Sequence, residues 1–166
     1  ECSTFISGSP SQPADMGTLG YPQLGRRVAL LDENGRSSYV GQIAVHKSDP
    51  GLMLGYLNAP KDTAARFSAN WFLTGDIGHR LPSGAIAYEG RVDDMMNAGG
   101  YRVSPIEVET ALAQYPDIYE VAAVELGVKS DTSVIAAFYT SANVLADIKL
   151  AAHCAAHLAR YKCPRI

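Results

Sequence analysis

The chain has 166 residues, 47% of them hydrophobic and 19% charged, which excludes disordered and fibrous proteins and leaves enough apolar side chains to bury a core. Fourteen Lys and Arg against 17 Asp and Glu give a net charge of −3, with no long run of either sign. That balance argues against a nucleic-acid or anionic-membrane surface and points to small-molecule partners.

The longest apolar stretches, Val121 to Val124 and Val134 to Tyr139, fall far short of the roughly 20 residues of a membrane span, so no span is expected. The three cysteines, Cys2, Cys154 and Cys163, share no CxxC spacing and read as free thiols of a reducing cytoplasm. The chain opens on Glu1-Cys2-Ser3, with neither an initiator methionine nor a signal-peptide pattern, and reads as a fragment or a processed chain.

In chain order, the first ninety or so residues read as short strands joined by Gly- and Pro-rich turns. Arg27 to Asp32 is an apolar strand, Glu33-Asn34-Gly35 a hairpin turn with Asn-Gly supplying positive φ angles, and Gln42 to His46 the returning strand. A helix is expected from about Pro60 to Phe67, followed by strands at Trp71 to Thr74 and Ala85 to Tyr88. From Arg91 the pattern changes to alternating strands and helices. Ser104-Pro105-Ile106-Glu107 is a helix start with a cap, a first-position Pro and a capping-box Glu; the helix runs to about Gln114. Strands follow at Glu120 to Leu126 and Ser133 to Thr140, then a long helix from about Val144 to Arg160. The fold class read from this pattern is α+β, with a boundary near Arg91 to Asp94.

Three segments carry the chemistry: Trp71 to Asp76 (WFLTGD), Gly90 to Asp94 (GRVDD) and Asn97 to Glu109 (NAGGYRVSPIEVE). Asp76 follows a glycine at the end of an expected strand, where a carboxylate can accept from both hydroxyls of a diol, each charge-assisted bond contributing on the order of 1.5–3 kcal/mol. A turn-capping role is the bland alternative. Arg91 offers several fixed donors to ribose or phosphate oxygens, or is a solvated surface residue. Asp93-Asp94 reads as an element end or a plain hairpin turn. Gly99-Gly100 implies positive φ or a close approach to the backbone. His153 and His157, four apart on a helix, have a spacing that can clamp zinc, but no third ligand is evident and packing is the better reading; His46, His79, Tyr56 and the Met95-Met96 pair read the same way.

Together with Gly17 to Gly25 (GTLGYPQLG) and Asp49 to Asn58 (DPGLMLGYLN), these segments resemble, in register, the adenylate-forming superfamily and within it the acyl-CoA synthetases. The resemblance covers nearly the whole chain. It implies that residues 1–92 are the β-rich end of a large N-terminal AMP-binding domain and that residues 93–166 are a small α+β C-terminal domain, truncated before its last strand. It implies an ATP-dependent carboxylic acid–CoA ligase that forms acyl-AMP and pyrophosphate, then the CoA thioester, with a carboxylic acid, ATP, Mg²⁺ and coenzyme A as its partners. Asp76 and Arg91 would bind ATP or AMP, Asp93 would be the hinge between two domain poses, and Gly99 and Gly100 would line the CoA channel. Glu1, placed as the last residue of a Y-G-x-T-E motif, would be the catalytic carboxylate associated with Mg²⁺. In the family a Gly-Lys motif near the C-terminus supplies the adenylating lysine, which Lys162 lies in the wrong motif to replace; a chain without it is expected to be inactive alone. The motif forms favour CoA over a carrier protein as acceptor. Other readings are a non-catalytic interaction module that self-associates through exposed faces, and a luciferase-like monooxygenase.

Overall fold

The computed structural model describes residues 1–129 and 132–166. They form two compact units, Glu1–Asp93 and Asp94–Ile166. The fold is α+β, strands outweighing helices. Among the described residues no helix is long and apolar enough to cross a membrane.

In the first unit β1 (Ile6–Ser7) and β2 (Tyr21–Pro22) form a small antiparallel ladder beside a five-stranded sheet. Within that sheet β3 (Val28–Leu31) pairs with β4 (Val40–His46). After α1 (Pro60–Ala65) and β5 (Phe67–Ser68), the long β6 (Trp71–Arg80) pairs on one edge with β4. Its other edge takes β5 at the start and β7 (Ile86–Arg91) further along, every pairing antiparallel. Leu30, Ile43 and Ile86 are buried together with Phe5, Ile6 and Val28 packed on them, and Phe72 is fully buried. Burying side chains of this size stabilises by about 1.5–3 kcal/mol each.

Three local expectations are corrected here. Gly35 has φ +73°, but Asn34 is not in the positive region: the Asp32 carboxylate accepts from the N–H groups of Asn34 (2.9 Å) and Arg36 (2.8 Å), so an Asp side chain shapes the turn. The first helix ends at Ala65 because Phe67 leaves it to pair with Phe72 in the sheet. The strand that begins at Trp71 runs to Arg80, so Asp76 lies within a strand and not at its end.

The second unit opens on a hairpin of β8 (Met96–Ala98) and β9 (Tyr101–Val103). Ala98 pairs with Tyr101, and the two loop residues Gly99 and Gly100 have φ of +59° and +88°, as a two-residue primed turn requires. Helix α2 (Pro105–Ala113) starts as its sequence dictates, with the Ser104 hydroxyl accepting from the Glu107 N–H at 3.3 Å. The Glu107 carboxylate itself is held by Lys162 Nζ, at 2.6 and 2.7 Å. A hairpin of β10 (Glu120–Lys129) and β11 (Thr132–Thr140) follows, then α3 (Asp147–His157) and a 3₁₀ turn at Arg160–Lys162. Helix α3 is shorter at both ends than expected: Leu158 is already extended, and His157 is exposed while Cys154 and Leu158 face the core. That core joins Met96, Val103, Val108, Leu112, Ala123 and Ile135 to them.

Candidate nucleotide site

A break in strand register builds the site. Gln42 of β4 opposes Ile77 of β6 and Ala44 opposes Leu73, so Ile43 alone faces Thr74, Gly75 and Asp76. The surplus residues must bulge, and Gly75 absorbs the distortion with φ +87°. Buried Thr74 ties the bulge down: its hydroxyl donates to the Ile43 carbonyl (2.9 Å) and accepts from the Asp76 N–H (3.1 Å). The Val92 N–H donates to the Gly75 carbonyl at 2.8 Å.

Arg91 is the cross-strand partner of Asp76. Its guanidinium lies over Gly75 so closely that a Cβ there would stand 2.8 Å from Nη2 and would push the guanidinium aside. Nη1 donates to Asp76 Oδ1 and to the Thr74 carbonyl, both at 3.3 Å, and Nε donates to Asp93 Oδ1 at 3.2 Å. Burial acts to lower the affinity of this guanidinium for its proton, but the Asp93 and Asp76 carboxylates outweigh it and the net shift is upward. Asp76, Arg91 and Asp93 are thus brought together as one cluster, the first two half-buried and Asp93 exposed.

Glu1 is held by backbone and by side chains. The Ser3 N–H donates to the Gly51 carbonyl (2.9 Å), Cys2 bridges to Leu52, and the Met53 N–H donates to the Glu1 carbonyl (2.6 Å). Buried Asp49 pairs with Arg26, which also donates to the Ser3 hydroxyl at 2.7 Å, and this clamps the segment. The Glu1 carboxylate accepts from the Tyr56 hydroxyl, and Arg66 Nη2 lies 3.6 Å from its other oxygen. The bond to Glu1, then burial, raises the Tyr56 hydroxyl above its ordinary pKa. Arg66 reaches across the Phe72 ring, 5.5 Å from its centroid, and donates to the Thr74 carbonyl at 2.6 Å. One carbonyl therefore accepts from both Arg66 and Arg91.

Sequence reasoning read Tyr56 as packing and passed over Arg66 and Thr74. Thr74 stands directly before the Gly-Asp pair and was within reach of motif reading; Arg66 and Tyr56 meet Glu1 only through the fold. Gly99 and Gly100 lie in the other unit, at the tip of the β8–β9 hairpin, and added Cβ atoms there would meet nothing within 4 Å, so positive φ is what requires glycine.

The histidines are engaged elsewhere. His46 packs edge-on against Trp71 and lies 2.8 Å from the Ser48 hydroxyl, and His79 pairs with Glu89. His153 Nε2 lies 2.8 Å from the Ala111 carbonyl, and the His153 and His157 rings lie against each other with centroids 4.2 Å apart. No group of three His, Cys, Asp or Glu among the described residues could hold a metal by itself. The donor set nonetheless fits Mg²⁺, which takes one or two carboxylates plus the oxygens of substrate phosphates. Glu1, whose carboxylate accepts from the Tyr56 hydroxyl, would be a carboxylate of that kind.

The chain is homologous to part of the adenylate-forming acyl-CoA ligases, whose solved members share its α+β fold. It is 33% identical over 146 residues to an uncharacterized acyl-CoA ligase of Bacillus subtilis, covering 86% of this chain and 28% of that one. To the sulfoacetate–CoA ligase of Cupriavidus necator it is 31% identical, covering 90% of this chain and 30% of the relative. Tyrocidine synthase 2 of Brevibacillus parabrevis is 29% identical over 98% of this chain, which spans 5% of that protein. Among solved structures, the anthranilate CoA ligase AuaEII with anthranoyl-AMP superposes with a TM-score of 0.83 at 28% identity, over 97% of this chain and 32% of that one. The o-succinylbenzoate CoA synthetase of Bacillus subtilis, with ATP and magnesium, gives a TM-score of 0.81 at 25% identity, over 98% and 34%. No protein-family model matches the chain. The chain thus spans about a third or less of the length of these relatives.

Proposed function

We propose that the full-length protein containing this chain is an ATP-dependent carboxylic acid–CoA ligase. A substrate carboxylate attacks the α-phosphate of ATP, forming the acyl–phosphate bond as pyrophosphate leaves. The CoA thiolate then attacks the acyl carbon, forming the thioester as AMP leaves. The observation that carries the reading is the Asp76–Arg91 pair: a carboxylate and a guanidinium set side by side by the bulge, half-exposed, in a chain homologous to CoA ligases.

In this reading Asp76 accepts from the ribose hydroxyls, and Arg91 donates to ribose or phosphate oxygens while Asp93 keeps its guanidinium turned toward the site. Glu1 would hold Mg²⁺ together with the nucleotide phosphates, and the ion would supply positive charge to offset theirs. Gly99 and Gly100 line the path of the CoA pantetheine. The similarity to tyrocidine synthase 2 gives a second reading, in which a carrier protein replaces CoA as acceptor.

The test uses the full-length enzyme in acid-dependent ATP–pyrophosphate exchange over a panel of aromatic and aliphatic acids, followed by thioester formation with CoA. Asp76→Ala is expected to raise the KM for ATP about 10- to 100-fold, the equivalent of one lost charge-assisted bond. Exchange of wild-type efficiency in that variant would sink the assignment, and exchange without thioester formation on CoA would move the reading to a carrier protein.

A further inference from the structure

The geometry points to Arg66 as a positioning residue of the nucleotide site: braced on Phe72 and on the Thr74 carbonyl, it fixes, with the Tyr56 hydroxyl, the Glu1 carboxylate for the metal–nucleotide complex. The inference rests on the proposed function and deepens it by naming two residues that act through Glu1.

Position and chemistry both carry it. Arg66 caps the C-terminal end of α1, and its carbonyl accepts from the Leu73 N–H at 2.8 Å, so its backbone is anchored to both α1 and β6. From there the side chain crosses Phe72, which is fully buried, and arrives between two acceptors: the Thr74 carbonyl at 2.6 Å and Glu1 Oε2 at 3.6 Å. The Thr74 carbonyl is the same one that Arg91 engages, so Arg66 links the Glu1 side of the site to the Asp76–Arg91 side through a single atom. Tyr56 takes the other Glu1 oxygen, which leaves the carboxylate little freedom to rotate.

A purely structural role does not account for the residue type. An apolar side chain would cover Phe72 equally well, whereas the Arg66 Nε is buried with no hydrogen-bond partner among the described residues. A buried unpaired N–H costs about 1–3 kcal/mol, a penalty that packing alone gives no reason to bear. What arginine adds is a cation 3.6 Å from a carboxylate, and loss of a partner that orients a metal-binding carboxylate typically costs about 10- to 100-fold in metal affinity or activity.

The experiment measures metal dependence in the full-length enzyme. Arg66→Ala is expected to raise the Mg²⁺ concentration for half-maximal pyrophosphate exchange about 10-fold, the lower end of what loss of such a partner costs, while the KM for the acid moves less than about 2-fold. Arg66→Lys should recover most of the loss, because an ammonium retains the charge and a donor. Tyr56→Phe, which leaves Arg66 and its packing intact, should shift the Mg²⁺ requirement the same way by a smaller factor. Mn²⁺ binding in the presence of ATP, read by electron paramagnetic resonance, should weaken in parallel. Unchanged Mg²⁺ dependence and Mn²⁺ binding in both Arg66→Ala and Tyr56→Phe, with only the melting temperature lowered, would make Arg66 a structural clamp and overturn the inference alone. A wild-type enzyme with no acid-dependent exchange would overturn the proposed function beneath it.

Discussion

A carboxylate that accepts hydrogen bonds stays ionised to lower pH than one in water, and Glu125 is so placed. The Ser133 hydroxyl and the Asn97 N–H, which donates at 2.7 Å, hold the Glu125 carboxyl below its ordinary range. Because the folded-state pKa is depressed, its contribution to stability is present above the unfolded value of about 4.3 and is lost as pH falls through the folded pKa. Glu125→Gln is therefore expected to lower the melting temperature at pH 7, modestly because solvent screens the group, and the gap to wild type should close in the acid range. A gap that persists undiminished at pH 3 would contradict this. At this scale the sequence singled out Asp76 after Thr74-Gly75 and Arg91 after Gly90 from their neighbours in the chain, and the fold sets the two opposite each other. The sequence was silent on Arg66 and Tyr56, ten residues apart and facing Glu1 across more than fifty, because only the fold makes them neighbours.

Elements were readable where local chemistry dictates them. Ser104-Pro105 starts α2 with its own cap, and Gly99-Gly100 turns the β8–β9 hairpin, because each signal lies within three or four residues. The bulge in β6 was not readable. Nothing within WFLTGDIGHR says that Ile43 will face three residues, since register is a property of two strands and the strand reads as ending at the glycine. Likewise α3 lacks a Gly or Pro at its C-terminal end, so its stop at His157 left no mark before Pro164. The bulge makes its own prediction. Gly75→Ala would place a side chain at φ +87°, at a cost of about 1–2 kcal/mol, and would drive a methyl into the Arg91 guanidinium. In the full-length enzyme this variant should raise the KM for ATP while leaving the KM for the acid nearly unchanged; a melting-temperature loss with wild-type ATP kinetics would show that Arg91 does not need its seat on Gly75.

At the scale of the whole molecule the consequential position is the join between the two units, at Asp93 and Asp94. We propose that Asp93 is the hinge about which the second unit changes pose between adenylation and thioester formation. Its side chain adds a complication that the sequence did not disclose: Asp93 Oδ1 accepts from Arg91 Nε at 3.2 Å, so the residue belongs to the nucleotide cluster as well as to the join. A single substitution would confound the two roles, and a pair separates them. Asp93→Ala removes the carboxylate but leaves φ free, and is expected to raise the KM for ATP severalfold, with both half-reactions otherwise intact. Asp93→Pro removes the carboxylate and also fixes φ near −65°. If the backbone must turn here, Asp93→Pro should match Asp93→Ala in pyrophosphate exchange yet make thioester at least about 10-fold more slowly, because only the second half-reaction depends on the change of pose. Equal rates for the two variants in thioester formation would leave Asp93 with a side-chain role alone, and equal loss in both half-reactions for Asp93→Pro would mean that the ring distorts the nucleotide cluster instead of blocking a hinge.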